Sequence, residues 1–94
     1  MTEFTAVGMR FRGNHTFSQE DSIILQEDNE NPYDANAVKI LVESSDGSLT
    51  HVAYVSRHDC PKIRALISAN EASRTSASLI GHYSASARLL VNVS

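Results

Sequence analysis

The residues best suited to chemistry stand together in one short stretch, Asn31-Pro32-Tyr33-Asp34. A phenol ring beside a carboxylate can stack on a flat ligand and accept a hydrogen bond from a hydroxyl. The same four residues also make good turn chemistry. Asn31 suits the first position of a type I turn, and Pro32 supplies the fixed φ of the second. Asp34 can accept backbone N–H groups from a tight turn through Ala35, Asn36 and Ala37. A binding site and a well-formed turn are therefore both open readings. A second constellation, Arg10-Phe11-Arg12, places an aromatic ring between two cations. It reads either as the solvated face of a half-exposed first strand or as a strand end offering two cations beside an aromatic ring.

Other chemistry finds less footing. His15, His51, His58 and His82 are scattered and lack metal-ligand spacing. His58 lies near Cys60, but a Cys–His nucleophile pair is normally assembled from distant segments, and Cys60 reads as a small apolar residue starting a helix. No serine sits in a nucleophile elbow, and no glycine-rich phosphate loop is present. Asp28, Glu30 and Asp34 read more simply as a solvated acidic loop than as a carboxylate cluster. The residue pattern offers no positive support for an enzyme, a metal or a cofactor.

Several elements must position these residues. Val38 to Val42 is a short apolar run rich in β-branched side chains, which predicts a buried strand directly after the Asn31–Asp34 turn. Phe4 to Arg12 alternates loosely, with Val7, Met9 and Phe11 on one face and Arg10 and Arg12 on the other, and predicts a first strand. Ser22 to Gln26 predicts a second. Ser44-Ser45-Asp46-Gly47-Ser48 carries the Asp-Gly hairpin signal, and Leu49 to Ser56 returns as a strand with Val52 and Tyr54 on one face and Ala53 and Val55 on the other. Asp59 suits a helix N-cap and Pro61 the first turn. Ile63, Leu66 and Ile67 then form an apolar stripe with Lys62 and Arg64 outside it, ending near Ala69 or Asn70. Ser73 to Tyr83 and Ala87 to Val93 predict two further strands. The order implies a mainly β fold with one or two short helices, a small barrel or curled sheet whose helix closes one end.

A chain of 94 residues supports one domain with a modest core, here expected over residues 1–94. A single cysteine excludes an internal disulfide. No apolar run approaches the length of a membrane span, and the N-terminus lacks a signal pattern, so the expectation is a soluble intracellular protein, cytoplasmic if bacterial. The formal net charge of −3 argues against a generic polyanion binder, because non-specific nucleic-acid affinity comes from neutralising phosphates. Any nucleic-acid role must rest on a local basic site.

Three segments together resemble the HIRAN domain: Val7-Gly8-Met9-Arg10-Phe11-Arg12-Gly13, the stretch from Asn31 to Val38, and Ala53-Tyr54-Val55-Ser56-Arg57. The resemblance runs from about Ala6 to Ile67. That domain occurs at the N-terminus of certain SWI/SNF-type DNA-repair translocases and also as a stand-alone bacterial or phage protein. The resemblance implies a modified oligonucleotide-binding (OB) barrel that captures the 3′-hydroxyl end of single-stranded DNA. It implies an ATPase, helicase or nuclease as a partner. By the same resemblance Arg10 and Arg57 would hold phosphates, Phe11 and Tyr33 would stack on bases, Asp34 would meet the terminal hydroxyl, and Asn31 would shape its pocket. Tyr54 falls at a DNA-contacting position where a characterised member has histidine. Phe11 and Arg12 stand where eukaryotic DNA-binding members have two tyrosines. The alternative is a protein-interaction or structural module that keeps the barrel without the DNA.

Overall fold

The computed structural model describes residues 2–13, 15–32, 34–69, 75–82 and 86–92, with the side chains of Phe11, Thr75, His82 and Asn92 outside that description. Six strands and one α-helix follow in order: β1 (Glu3–Val7), β2 (Ser22–Glu27), β3 (Val38–Glu43), β4 (Leu49–Val55), α1 (Cys60–Ala69), β5 (Thr75–His82) and β6 (Ala87–Asn92). A 3-10 turn, Met9–Phe11, lies between β1 and β2. The strands are antiparallel throughout and pair in the circular order β1-β4-β3-β2-β5-β6, with β6 returning to β1. Closure leaves no free sheet edge. The mainly β fold expected from strand order closes as a barrel, in keeping with the OB-like barrel that the resemblance implied.

Alternation along the strands sends one set of side chains inward. Phe4 and Ala6 of β1, Ile23 and Leu25 of β2, Val38 and Ile40 of β3, Ala77 of β5, and Ala87, Leu89 and Val91 of β6 form one buried cluster. Ile63 and Cys60 of α1 complete it, with Leu66 and Ile67 only partly buried against it. The helix thus seats Ile63 fully, and the rest of the stripe lies along the rim over β2 and β3. Phe17, carried on the loop before β2, is also in the core.

Two strand expectations are corrected. The first strand stops at Val7 and does not reach Arg12, because Gly8 adopts a left-handed conformation (φ +78°) that turns the chain into the 3-10 turn. Glycine enters that region without the steric cost a Cβ would bring. In β4 the alternation breaks: Val52, Ala53 and Val55 are all buried while Tyr54 is half-exposed. The register with β3 shifts between Ile40 and Leu41, pairing Ile40 with Ala53 but Leu41 with His51, so Val52 is the extra residue of a β-bulge. The remaining strand and helix limits fall within about two residues of expectation, although Asn70, Ser73, Tyr83 and Val93 lie outside the described residues.

The helix start is built differently from a simple cap. The Asp59 carboxylate accepts the Thr5 N–H (2.9 Å) and the Ser56 hydroxyl (2.8 Å) and sits 3.1 Å from Lys62 Nζ. It therefore ties the start of α1 across 54 residues to β1. Burial alone would push this carboxyl up, but the Thr5, Ser56 and Lys62 donors together hold it below its ordinary value.

Candidate nucleic-acid interface

The loop joining β2 to β3 closes its own neck. The Asp28 N–H donates to the Ala37 carbonyl at 2.9 Å, just outside the two strands it connects. Within it, the Asn31 side-chain oxygen accepts the Asp34 N–H (3.1 Å), Asp34 Oδ1 accepts the Asn36 N–H (2.9 Å), and the Asp34 carbonyl accepts the Ala37 N–H (3.2 Å). These are the short side-chain-to-backbone bonds that make Asn and Asp good turn formers. The other carboxylate oxygen, Asp34 Oδ2, lies 3.6 Å from Arg57 Nε in the turn after β4. Arg57 is 80% exposed, so the attraction is weak and water competes for both groups.

A cleft of about 620 Å³ opens between this loop and the end of β4, lined by Arg12, Asn31, Asp34, Ala37, Tyr54, Val55 and Arg57. Its walls come from four parts of the chain and carry two arginines and one aspartate. Tyr54 stands at the centre. Its hydroxyl donates to Asp28 Oδ2 (3.3 Å), the Arg12 guanidinium lies over its ring at 5.9 Å from the centroid, and His51 meets it edge-on at 4.6 Å. Asp28 is buried and accepts the Glu30 N–H as well, which joins the Tyr54 ring to the entry of the loop. Burial, and then the nearby Arg12 charge, lower the proton affinity of His51, so the imidazole stays neutral beside the cleft at neutral pH.

Of the sequence-derived candidates, Asn31, Asp34, Tyr54 and Arg57 come together around this one cleft. Arg10 is exposed on the 3-10 turn and does not line it. Tyr33 and the Phe11 side chain lie outside the described residues. Arg12, read in sequence as the companion of Arg10, is the arginine that reaches the cleft wall. The signal for this was Gly8: once the chain leaves the sheet there, strand alternation no longer decides where the two arginines point.

Asp28 and Glu30 do not share the cleft with Asp34. Glu27, Asp28, Asn29, Glu30 and Lys39 line a separate, smaller concavity of about 270 Å³. Among the described residues no group of three His, Cys, Asp or Glu is placed to hold a metal ion. Cys60 is buried, its thiol is 3.5 Å from the Val55 carbonyl, and burial pushes its proton affinity up, the opposite of an activated nucleophile. Among the described residues no helix is long and apolar enough to cross a membrane.

Comparison with known proteins now identifies the architecture. The family model of the HIRAN domain matches residues 1–94. Among solved structures, the crystal structure of the HIRAN domain of human HLTF superposes with a TM-score of 0.70 at 21% sequence identity, covering 96% of this chain and 71% of that one. At that identity the likeness speaks for the fold. No curated protein matches the sequence. The chain belongs to the HIRAN domain family, a family of DNA-binding rather than catalytic modules.

Proposed function

We propose that this domain binds single-stranded DNA and captures its 3′-hydroxyl end in the cleft between the β2–β3 loop and the end of β4. The observation that carries the reading is Asp34, with one oxygen held by its turn and the other facing into a cleft that two arginines share. A carboxylate in that position accepts a hydrogen bond from a terminal hydroxyl and repels a terminal phosphate. Arg12 and Arg57 take phosphates, and Arg10, on the 3-10 turn beside Arg12, takes a third. Tyr54 backs Arg12 with its ring, and Asn31 keeps the Asp34 turn in shape. The family resemblance assigns base stacking to Phe11 and Tyr33, a sequence-tolerant contact worth about 1–3 kcal/mol per base. In this reading the module is intracellular, works without a cofactor and delivers DNA ends to an ATPase, helicase or nuclease.

A hydrogen bond to a charged acceptor is worth about 1.5–3 kcal/mol, a preference of roughly tenfold to a hundredfold for the hydroxyl. The test is a titration with short single strands that differ only at the 3′ end, hydroxyl against phosphate. Tighter binding of the hydroxyl supports end capture, and equal affinities overturn it. A second reading, a protein-interaction module on the same barrel, draws on the net charge of −3 and the acidic concavity around Glu27, Asp28 and Glu30. No measurable binding to either strand would favour it.

A further inference from the structure

The bonds inside the β2–β3 loop fix its shape, but they do not fix where the loop sits on the barrel. Asn31, Asp34 and Asn36 bond to one another within the turn. Contacts from outside place the loop: Tyr54 of β4 meets Asp28, Arg57 meets Asp34, and α1 adds a third. Arg64 donates through Nη1 to the Ala37 carbonyl (3.2 Å) and through Nη2 to Asn29 Oδ1 (3.1 Å). Its Nε lies 3.6 Å from Glu27 Oε1. Glu27 ends β2, Asn29 opens the loop and Ala37 closes it, so a single guanidinium reaches both feet of the loop. The side chain is 23% exposed; its bond to the Ala37 carbonyl is partly buried while that to Asn29 is exposed, and it is absent from the cleft wall.

We infer that Arg64 is a positioning residue for end recognition: it holds both feet of the 28–37 loop against α1 and so sets Asp34 at the distance from Tyr54 and Arg57 that a terminal hydroxyl requires. This rests on the end-capture reading above. The chemistry calls for arginine. Three acceptors lie around one planar fork, and a lysine ammonium, a point charge on an unbranched stem, cannot meet all three. The Ala37 carbonyl also accepts the Asp28 N–H, so both lone pairs at the neck of the loop are used. Loss of the fork leaves the neck closed by the Asp28–Ala37 bond and tied to β4 through Tyr54, but releases both feet of the loop from α1. Small displacements suffice, since a hydrogen bond weakens steeply with distance and angle.

The test compares wild type, Arg64→Lys and Asn29→Ala for affinity to 3′-hydroxyl and 3′-phosphate strands across a salt series, after circular dichroism has confirmed folding. Arg64→Lys keeps the charge, and Asn29→Ala removes an acceptor on an exposed residue without touching the helix. The expected result is a several-fold drop in the hydroxyl preference of Arg64→Lys, a smaller drop in Asn29→Ala, and no change in the slope of log K against log salt in either. In the Asp34→Ala background, adding Arg64→Lys should change the preference no further. Wild-type preference in a folded Arg64→Lys variant would overturn the proposal while leaving end capture in place. So would a salt slope shallower by about 0.7 in an Arg64→Gln variant, which would make Arg64 a direct phosphate contact. If Arg64→Lys does not fold, Asn29→Ala alone decides: an unchanged preference there overturns the proposal. Equal wild-type affinities for the two ends would remove the end-capture reading itself, and this inference with it.

Discussion

Two aspartates in this domain sit in similar places and are treated in opposite ways. Asp59 and Asp34 each lie in a tight turn beside a regular element, and each meets a cation. Asp59 is 6% exposed, and its oxygens are taken up by a backbone N–H of β1, a serine hydroxyl and a lysine. Asp34 gives one oxygen to its own turn and turns the other toward a guanidinium that is 80% exposed, at 3.6 Å. A carboxylate saturated by the protein holds the fold together. A carboxylate whose second oxygen faces a loosely held cation can exchange that partner for a ligand at little cost, because surface ion pairs are worth about 0–1 kcal/mol. The difference separates an acid that holds the fold from one left open to a ligand, in a chain whose carboxylates outnumber its cations.

The largest expected effect falls on the helix seat near both aspartates. Ile63 is fully buried, and Ile63→Ala should cost about 2–5 kcal/mol in denaturant unfolding. Leu66→Ala, at a half-buried position, should cost less, and the reverse order would mean that the helix is rotated from the seat described. Next comes Asp59→Ala. It orphans the Thr5 N–H and the Ser56 hydroxyl and should cost about 1.5–3 kcal/mol, while the preference for a DNA end stays as in wild type. A stable Asp59→Ala variant with altered end preference would erase the distinction between the two acids.

Acid titration sharpens the same contrast. The Asp59 carboxyl binds its proton less readily in the fold than its ordinary value of 3.8 would give, so the unfolded chain takes up that proton first. Its stabilisation is therefore complete above that value and lost as pH falls through the lowered folded value. Stability of wild type should drop below about pH 4 more steeply than that of Asp59→Asn. Parallel curves would mean that Asp59 is not held by its donors. The smallest effect concerns salt. Two or three phosphate contacts, from Arg12 and Arg57 with or without Arg10, predict a slope of log K against log salt of about −1.4 to −2 on single strands. A slope steeper than about −4 would require a long basic track and would contradict a compact end site.

Elements governed by local rules were readable from the residues. The Asp34–Ala37 turn, the β3 run, the Asp-Gly hairpin, closed by the Ser44 N–H on the Ser48 carbonyl, and the Pro61 helix start each follow from neighbouring side chains, while the type I turn expected over Asn31–Asp34 runs through Tyr33, outside the described residues. The failures share a cause as well. The first strand was carried past Gly8 because Val7, Met9 and Phe11 keep the strand period, although the backbone had already turned. The bulge at Val52 arises from pairing with β3 and leaves no mark in β4 itself. Tyr54 and Arg57 come to the Asp34 loop through the pairing of β3 with β4, and Arg12 through the pairing of β1 with β4. Arg64 looked like the solvated side of a helix because its acceptors stand 27 and 35 residues earlier in the chain. Asp28, read as part of a solvated loop, is buried under Tyr54 for the same long-range reason.

The most direct test of the account is the ratio of affinities for 3′-hydroxyl and 3′-phosphate single strands, measured on wild type and on an Asp34→Ala variant shown to be folded. The account predicts a wild-type preference for the hydroxyl of roughly tenfold to a hundredfold, from one hydrogen bond to a charged acceptor, and a ratio near one in the variant. A folded Asp34→Ala variant that still prefers the hydroxyl would contradict it, and would return Asp34 to the role of a turn former.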